Sequence, residues 1–267
     1  MGNVILPCIW FFLLGSAMGS FFNVLIDRLP EGRDCIVTRS TCSACGTQLR
    51  WNDMIPIFSF LFLRGRCRYC GERLSPWYWI SELSVGLLYS AAFLRFSVTG
   101  SVKTLIGDLL LWSLLFIVAV MDWKTGMIMD IFSVLIAAGG IVTGLICRRG
   151  IVDILLGGVV GFLCYGILYF ASKQILKREG LGLGDVFLLG AVGFWMSWNQ
   201  TLITAFLTAY VSLLFIAGLA AAKHRSDKSV GWETAFPLGP SVCIAALVMR
   251  IFGERIAGFL SGILFRG

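Results

Sequence analysis

The sequence predicts an all-α polytopic membrane protein of about eight transmembrane helices, with one small module built on a polar loop. Three observations predict it. Hydrophobic residues fill 58% of 267 positions and charged ones only 14%, at a mean hydropathy of +0.86. A soluble domain could not hide that much apolar surface. Apolar runs of roughly the length that crosses a bilayer, about 17–25 residues, recur along the chain. Finally, a single long polar stretch, 26–78, interrupts them and holds five of the nine cysteines.

The runs read as 4–25, 79–96, 104–121, 131–147, 152–172, 185–198, 201–222 and 236–252. The stretch 255–265 is too short to count as another. The first run lacks a basic n-region and continues through "GSFFNVLI" without a small-residue cleavage site, so it reads as a retained helix and not a secretory signal. Placing 26–78 in the cytoplasm fixes every other loop by alternation. Fifteen Lys and Arg, among them Arg28, Arg64, Lys124 and Lys173, then fall in inner loops, against six outside. This asymmetry orients the chain with its N-terminus outside. It also accounts for the net charge of +7 without a nucleic-acid partner, and none is expected. Three parts follow: 1–25, a first transmembrane helix; 26–78, a cytoplasmic four-cysteine module; and 79–267, a multi-helix membrane domain.

Cys42 and Cys45 form "CSAC", Cys67 and Cys70 form "CRYC", and twenty-one residues separate the pairs. Each C-x-x-C turn offers two thiolates from one side, and the intervening chain can fold back to complete a tetrahedron. A glycine follows both pairs, as a zinc ribbon's turn requires. The expectation is a structural Zn²⁺ in a small zinc-ribbon-like module, since disulfides are disfavoured in a reducing compartment. Four thiolates fill the coordination sphere, so such a metal holds a fold and activates no water. Cys35 has no partner in this pattern. Cys8, Cys147, Cys164 and Cys243, inside or at the ends of apolar runs, read as small hydrophobes.

Ionisable side chains in apolar spans are costly and mark function by default. The candidates are Glu82, Asp108, Asp122, Asp130, Asp153 and Asp185. Asp122 ends one run on its way in and Asp185 begins another on its way out, so both belong at the cytoplasmic boundary. Asp108 lies fourteen residues before Asp122, about 21 Å along a helix. It and Asp153 therefore read as helix-end residues near the outer headgroups. Glu82 could serve a second site or face a headgroup. Asp122 and Asp185 remain as a possible pair, with Asp130 as third party. Two carboxylates close together in a low-dielectric site share a proton, so that one can act as base toward water while the other donates to a carbonyl. In "GLGLGD", Gly180, Gly182 and Gly184 would let the backbone unwind and deliver Asp185 to a watery cavity. By itself G-x-G-D is a short motif, equally compatible with helix capping and close packing, or with ion transport. Serine chemistry is disfavoured, because the only histidine, His224, lies in a basic loop and no lysine lies in a span.

Five stretches, in order, resemble the type IV prepilin peptidases, bacterial membrane aspartic proteases of the G-x-G-D class. They are "GSFFNVLIDRLP" (19–30), the cysteine loop through its closing glutamate (42–82), "MDWKTGMIMD" (121–130), "REGLGLGD" (178–185) and "FPLGP" (236–240). The resemblance implies that Asp122 and Asp185 are catalytic. It implies cleavage of basic leader peptides from type IV prepilins and pseudopilins at the cytoplasmic face of the bacterial inner membrane. Family members with the cysteine loop are commonly bifunctional, so it also implies N-methylation of the new N-terminus with S-adenosylmethionine. No G-x-G-x-x-G fingerprint for that donor is present. The chain departs from the family pattern at Met129, where a proline usually precedes the aspartate, and at Arg178, Leu181 and Phe187, the last replacing a lysine. A shifted substrate preference is expected. The alternative is a carboxylate-lined, proton-coupled transporter with a regulatory zinc loop, although no internal repeat supports it.

Overall fold

The computed structural model describes residues 4–35, 38–176, 182–224 and 237–264. Gly180, Arg178 and Leu181 lie outside them. The described residues are almost wholly helical. They form α1 (Ile5–Arg28), α2 (Phe58–Phe62), α3 (Pro76–Thr99), α4 (Val102–Thr125), α5 (Asp130–Ile146), α6 (Ile151–Leu176), α7 (Leu183–Gly193), α8 (Trp198–His224) and α9 (Gly239–Leu264), with two short 3₁₀ turns at Leu29–Glu31 and Trp51–Asp53. Each apolar run thus contains a helix. Four of them, α1, α4, α6 and α8, are long and apolar enough to cross a membrane, while α5, α7 and the apolar part of α9 are shorter. The chain divides into two compact units, Met1–Leu105 and Ile106–Gly267.

In the first unit α1 packs on α3 through small residues. A Cβ on Gly15 would stand 2.6 Å from the Val85 carbonyl oxygen and 2.9 Å from the Gly86 Cα, and one on Gly19 would stand 3.0 Å from the Glu82 Cα. A Gly-x-x-x-Gly pair lets two backbones approach closely, which is the usual basis of helix association where lipid removes any hydrophobic drive. Buried Ser81 donates to Asn23 at 2.8 Å across the same seam. Pro76 opens α3, with Ser75 capping it, as expected where a missing N–H costs nothing.

In the second unit α7 packs against α5 and α6, and α8 against α6 and α9. The α6–α7 contact is glycine on glycine: a Cβ at Gly193 would run into the carbonyl oxygen of Gly157, and one at Gly161 would stand 2.6 Å from the Leu189 oxygen. The run expected at 185–198 is accordingly broken. α7 stops at Gly193, and Arg149 donates to the Met196 oxygen at 2.8 Å and the Phe194 oxygen at 3.4 Å beyond it. Those carbonyls would otherwise be orphaned at a helix end. Trp195 folds back and donates to the Ile136 oxygen at 2.7 Å, against Gly139 and Gly140 of α5.

Asp108 has a different role from that expected, and one of the two alternatives for Glu82 falls away. Asp108 does not face headgroups: it is 1% exposed and accepts from Arg250 of α9 at 2.8 Å. Glu82 is also buried, accepts from the Ile57 N–H at 2.7 Å and shares a hydrogen bond with Ser20, so it faces no headgroup either. Asp153 pairs with Arg149 at 2.9 Å, supporting the arginine that closes α7.

Candidate active site and cysteine cluster

The second unit brings Asp122 and Asp185 together. Asp122 sits in the last turn of α4 and Asp185 is the third residue of α7. Both are buried, at 4% and 7% exposure, and the charge of Asp122 acts on Asp185. The Gly239 N–H, opening α9, donates to Asp122 Oδ2 at 2.9 Å. Pro240 follows it, so the first turn of α9 presents that donor without a competing N–H beside it. Each acid therefore stands at a helix N-terminus, Asp185 within α7 and Asp122 before α9, where the aligned peptide dipoles favour negative charge. Asp185 Oδ1 is buried with no hydrogen-bond partner among the described residues. A buried carboxylate oxygen left open in this way suits a water or a substrate carbonyl.

Of the glycines expected to unwind before Asp185, Gly180 lies outside the described residues, Gly182 is extended and Gly184 is not unwound. Gly182 is the N-cap of α7 and accepts the Asp185 N–H at 3.2 Å. Gly184 is already helical, and a Cβ there would stand 3.1 Å from Ile128. The missing proline before Asp130 is inconsequential for the backbone. Met129 has φ −73° and ψ 127°, angles a proline would share, and α5 starts at Asp130. Asp130 itself is exposed and does not join the pair. Phe187, in the place of a lysine, lies edge-on to Phe162 at 5.9 Å.

Sequence reasoning missed three neighbours. Gly239 lay inside the quoted "FPLGP" but was assigned no role. Cys243, one turn further along α9, is 1% exposed and feels both acids. Tyr165 of α6, 4% exposed, shares a hydrogen bond with Thr208 of α8 and lies within electrostatic reach of Asp185. An i, i+4 pattern from Gly239 to Cys243 was the only signal for the second, and none existed for the third.

In the first unit the cysteines form two near-identical knuckles. The Cys42 N–H donates to the Thr47 oxygen at 3.0 Å, and the Cys67 N–H to the Glu72 oxygen at 2.8 Å. Gly46 and Gly71 close the two turns at φ 68° and 73°, where only glycine is unstrained. The antiparallel bridges Thr41–Gln48 and Arg66–Arg73 flank them. All four sulfurs lie within 4.8 Å of one another, with Cys42 and Cys70 at 3.9 Å. A tetrahedral zinc site with bonds of about 2.3 Å has edges of about 3.8 Å, so the cluster fits that ion. Its acidity fits as well. A hydrogen bond with the Thr47 hydroxyl brings Cys45 down to about 6. At Cys70 the Glu72 backbone pulls down, but burial and the hydrogen bonds with Cys67, Cys45 and Cys42 outweigh it and push the thiol up to about 12. Crowded thiols resist losing all their protons unless a cation replaces them. Cys35 stays outside the cluster, its thiol directed at the Arg33 oxygen at 3.5 Å.

The comparisons agree with both halves. Residues 13–96 match the bacterial peptidase A24 N-terminal domain, and residues 109–218 match the type IV leader peptidase family. A prepilin leader peptidase/N-methyltransferase of Klebsiella pneumoniae is 36% identical over 74% of this chain and 92% of its own. Proteins of the same name from Myxococcus xanthus and Aeromonas salmonicida are 33% and 30% identical, over 83% and 97% of this chain and 67% and 97% of theirs. No solved structure matches the chain. The chain therefore belongs to the type IV leader peptidase family of membrane-embedded peptidases.

Proposed function

We propose that Asp122 and Asp185 are the acids of an aspartic endopeptidase that removes the basic leader of type IV prepilins or pseudopilins, and that the cut is made at the cytoplasmic face of the inner membrane. The observation that carries this reading is the meeting of two buried carboxylates from α4 and α7, one held by the Gly239 N–H and the other with an open oxygen. With one proton between them, one acid takes a proton from a water held at the pair while the other donates its own to the scissile carbonyl. The water oxygen bonds to the carbonyl carbon, and the tetrahedral adduct then collapses. Its C–N bond breaks as the amine takes a proton from the first acid, and the hydroxyl proton returns to the second. The Gly239 donor fixes one oxygen of Asp122 and so leaves its other oxygen for the water. A carboxylate-lined transporter has no support from the family to which the chain belongs.

The second activity proposed is methylation of the amine that cleavage exposes, with S-adenosylmethionine supplying the methyl group. It rests on the names of the relatives and on the four-cysteine cluster of this chain. A cavity between α1 and α3, lined by Val4, Ile5, Cys8, Ile9, Phe12, Ser90 and Leu94, is apolar and does not fit that donor. Cys42, Cys45, Cys67 and Cys70 would hold a structural Zn²⁺, which braces the module and takes no part in hydrolysis.

The deciding experiment incubates purified protein with a prepilin, with and without S-adenosylmethionine, and reads product masses. Wild type should release the leader and add one methyl group when the donor is present. Asp122→Asn and Asp185→Asn should each abolish cleavage while the protein is still produced. Appreciable processing by either variant removes the dyad.

A further inference from the structure

The cysteine module carries an apolar face that neither the zinc site nor the acids use. Between Ile57 and Arg64, both of them non-glycine residues at positive φ (64° and 53°), the chain forms the short helix α2. A β-branched residue in this conformation is a genuine outlier, held only where the surroundings over-determine it. What holds Ile57 is its N–H on buried Glu82 of α3 at 2.7 Å, a carboxylate that also bonds Ser20 of α1. Phe60 turns inward and stacks on Trp79 of α3 with ring centres 6.4 Å apart. The residues at i, i+3 and i+4 on the other side, Phe58, Leu61 and Phe62, are 48%, 57% and 83% exposed, and Trp51 in the neighbouring 3₁₀ turn is 75% exposed. Arg64 and Arg66 follow, both exposed.

We infer that α2 and Trp51 form an interfacial anchor that lies in the bilayer's own headgroup region, with Arg64 and Arg66 on anionic lipid phosphates. Depth argues for it. Ser20 lies within α1, a helix apolar and long enough to span. Glu82 lies six residues inside α3, about 9 Å from its start, next to Trp77, Tyr78 and Trp79, residue types that gather at membrane boundaries. A helix pinned to that carboxylate sits at the level of this aromatic belt, where a short apolar face with flanking arginines is at its most stable. Charge argues against a basic leader peptide on the same surface, because the arginines would repel it.

The test uses the full chain in nanodiscs of phosphatidylcholine with one third phosphatidylglycerol, carrying Phe62→p-benzoylphenylalanine. Irradiation followed by peptide mass spectrometry should find lipid adducts at residue 62, with a phosphatidylglycerol-to-phosphatidylcholine ratio about threefold that of the bilayer. Arg64→Gln with Arg66→Gln should remove the enrichment and leave the adducts. The same probe at Phe58 decides the matter if the residue-62 protein is not produced. Adducts to the chain's own residues 106–267, to a second copy or to an added prepilin, in place of lipid, overturn the anchor. Loss of cleavage has no bearing on it, so the two readings fail separately.

Discussion

Gly239→Ala tests the proposed site at its least conspicuous member. The added methyl would stand 2.6 Å from Asp122 Oδ2, 3.0 Å from its Cγ and 3.1 Å from its Cβ. An ordinary C···O contact is about 3.3 Å or more, so the carboxylate must retreat by roughly 0.7 Å. The Gly239 hydrogen bond, 2.9 Å now, would then open to about 3.6 Å, at which length it has ceased to be one. A displacement of about 1 Å at a reacting group costs on the order of 100-fold in rate. The expected loss is therefore between about 10- and 100-fold in kcat, or about 1.4 to 2.7 kcal/mol of transition-state stabilisation. The assay is single-turnover cleavage of a prepilin by purified protein, with methylation of an already cleaved substrate measured beside it. Cleavage should fall and methyl transfer should hold, because the atoms nearest the added methyl group all belong to Asp122, one of the two proposed proteolytic acids. Cleavage within about twofold of wild type would refute a positioning role for the α9 N-terminus. So would a parallel fall in both activities, which would mean a general loss of fold.

Three further outcomes follow from other contacts. Removing one partner of the buried Asp108–Arg250 pair, as in Asp108→Asn or Arg250→Met, should lower stability by about 3 kcal/mol, and the double variant Asp108→Leu, Arg250→Met should recover most of that; thermal unfolding in detergent reads it. Gly193→Ala drives a methyl group into the Gly157 carbonyl, so it should cost about 1–3 kcal/mol as overpacking does and reduce cleavage by moving α7, whereas Gly218→Ala, which meets nothing, should be silent in the same unfolding scan. Purified protein should hold close to one equivalent of zinc under reducing conditions, and Cys67→Ser or chelation should release it and destabilise the module; less than about half an equivalent would dismiss the four-thiolate site.

How much of this was legible in the sequence depends on which forces leave a periodic trace. The eight apolar runs and the two C-x-x-C pairs are local patterns, and the helices and the sulfur cluster follow from them. The nearness of Asp122 and Asp185 was also readable, because alternation of the apolar runs brings the end of one and the start of another to the same side. The break in the 185–198 run was not, since it is made by Arg149 and Gly157, distant in sequence, acting on carbonyls that no side-chain pattern reports. Asp108 was misread for a related reason. Its depth suggested a headgroup, but Arg250, 142 residues on, makes burial tolerable. Glu82 likewise bonds a backbone N–H, and backbone donors have no sequence signature.

These long-range contacts share a purpose in the geometry of the acids. α4 and α9 are tied at two levels, by Gly239 on Asp122 and by Arg250 on Asp108. Two fixed points on one pair of helices prevent either from sliding or rotating past the other. α7 is fixed differently: its glycines sink into α6, so that backbone meets backbone, and close-packed backbones have no soft side chain to absorb a shift. The register of α7 against α6 thus sets the height of Asp185, while the α4–α9 clamp sets that of Asp122. Eight residues separate Asp185 from Gly193, about 12 Å along the helix. The arginine cap and the glycine contact therefore act on the dyad from a distance, through a rigid rod, and a change there should be felt as a misplaced acid before it is felt as an unfolded chain.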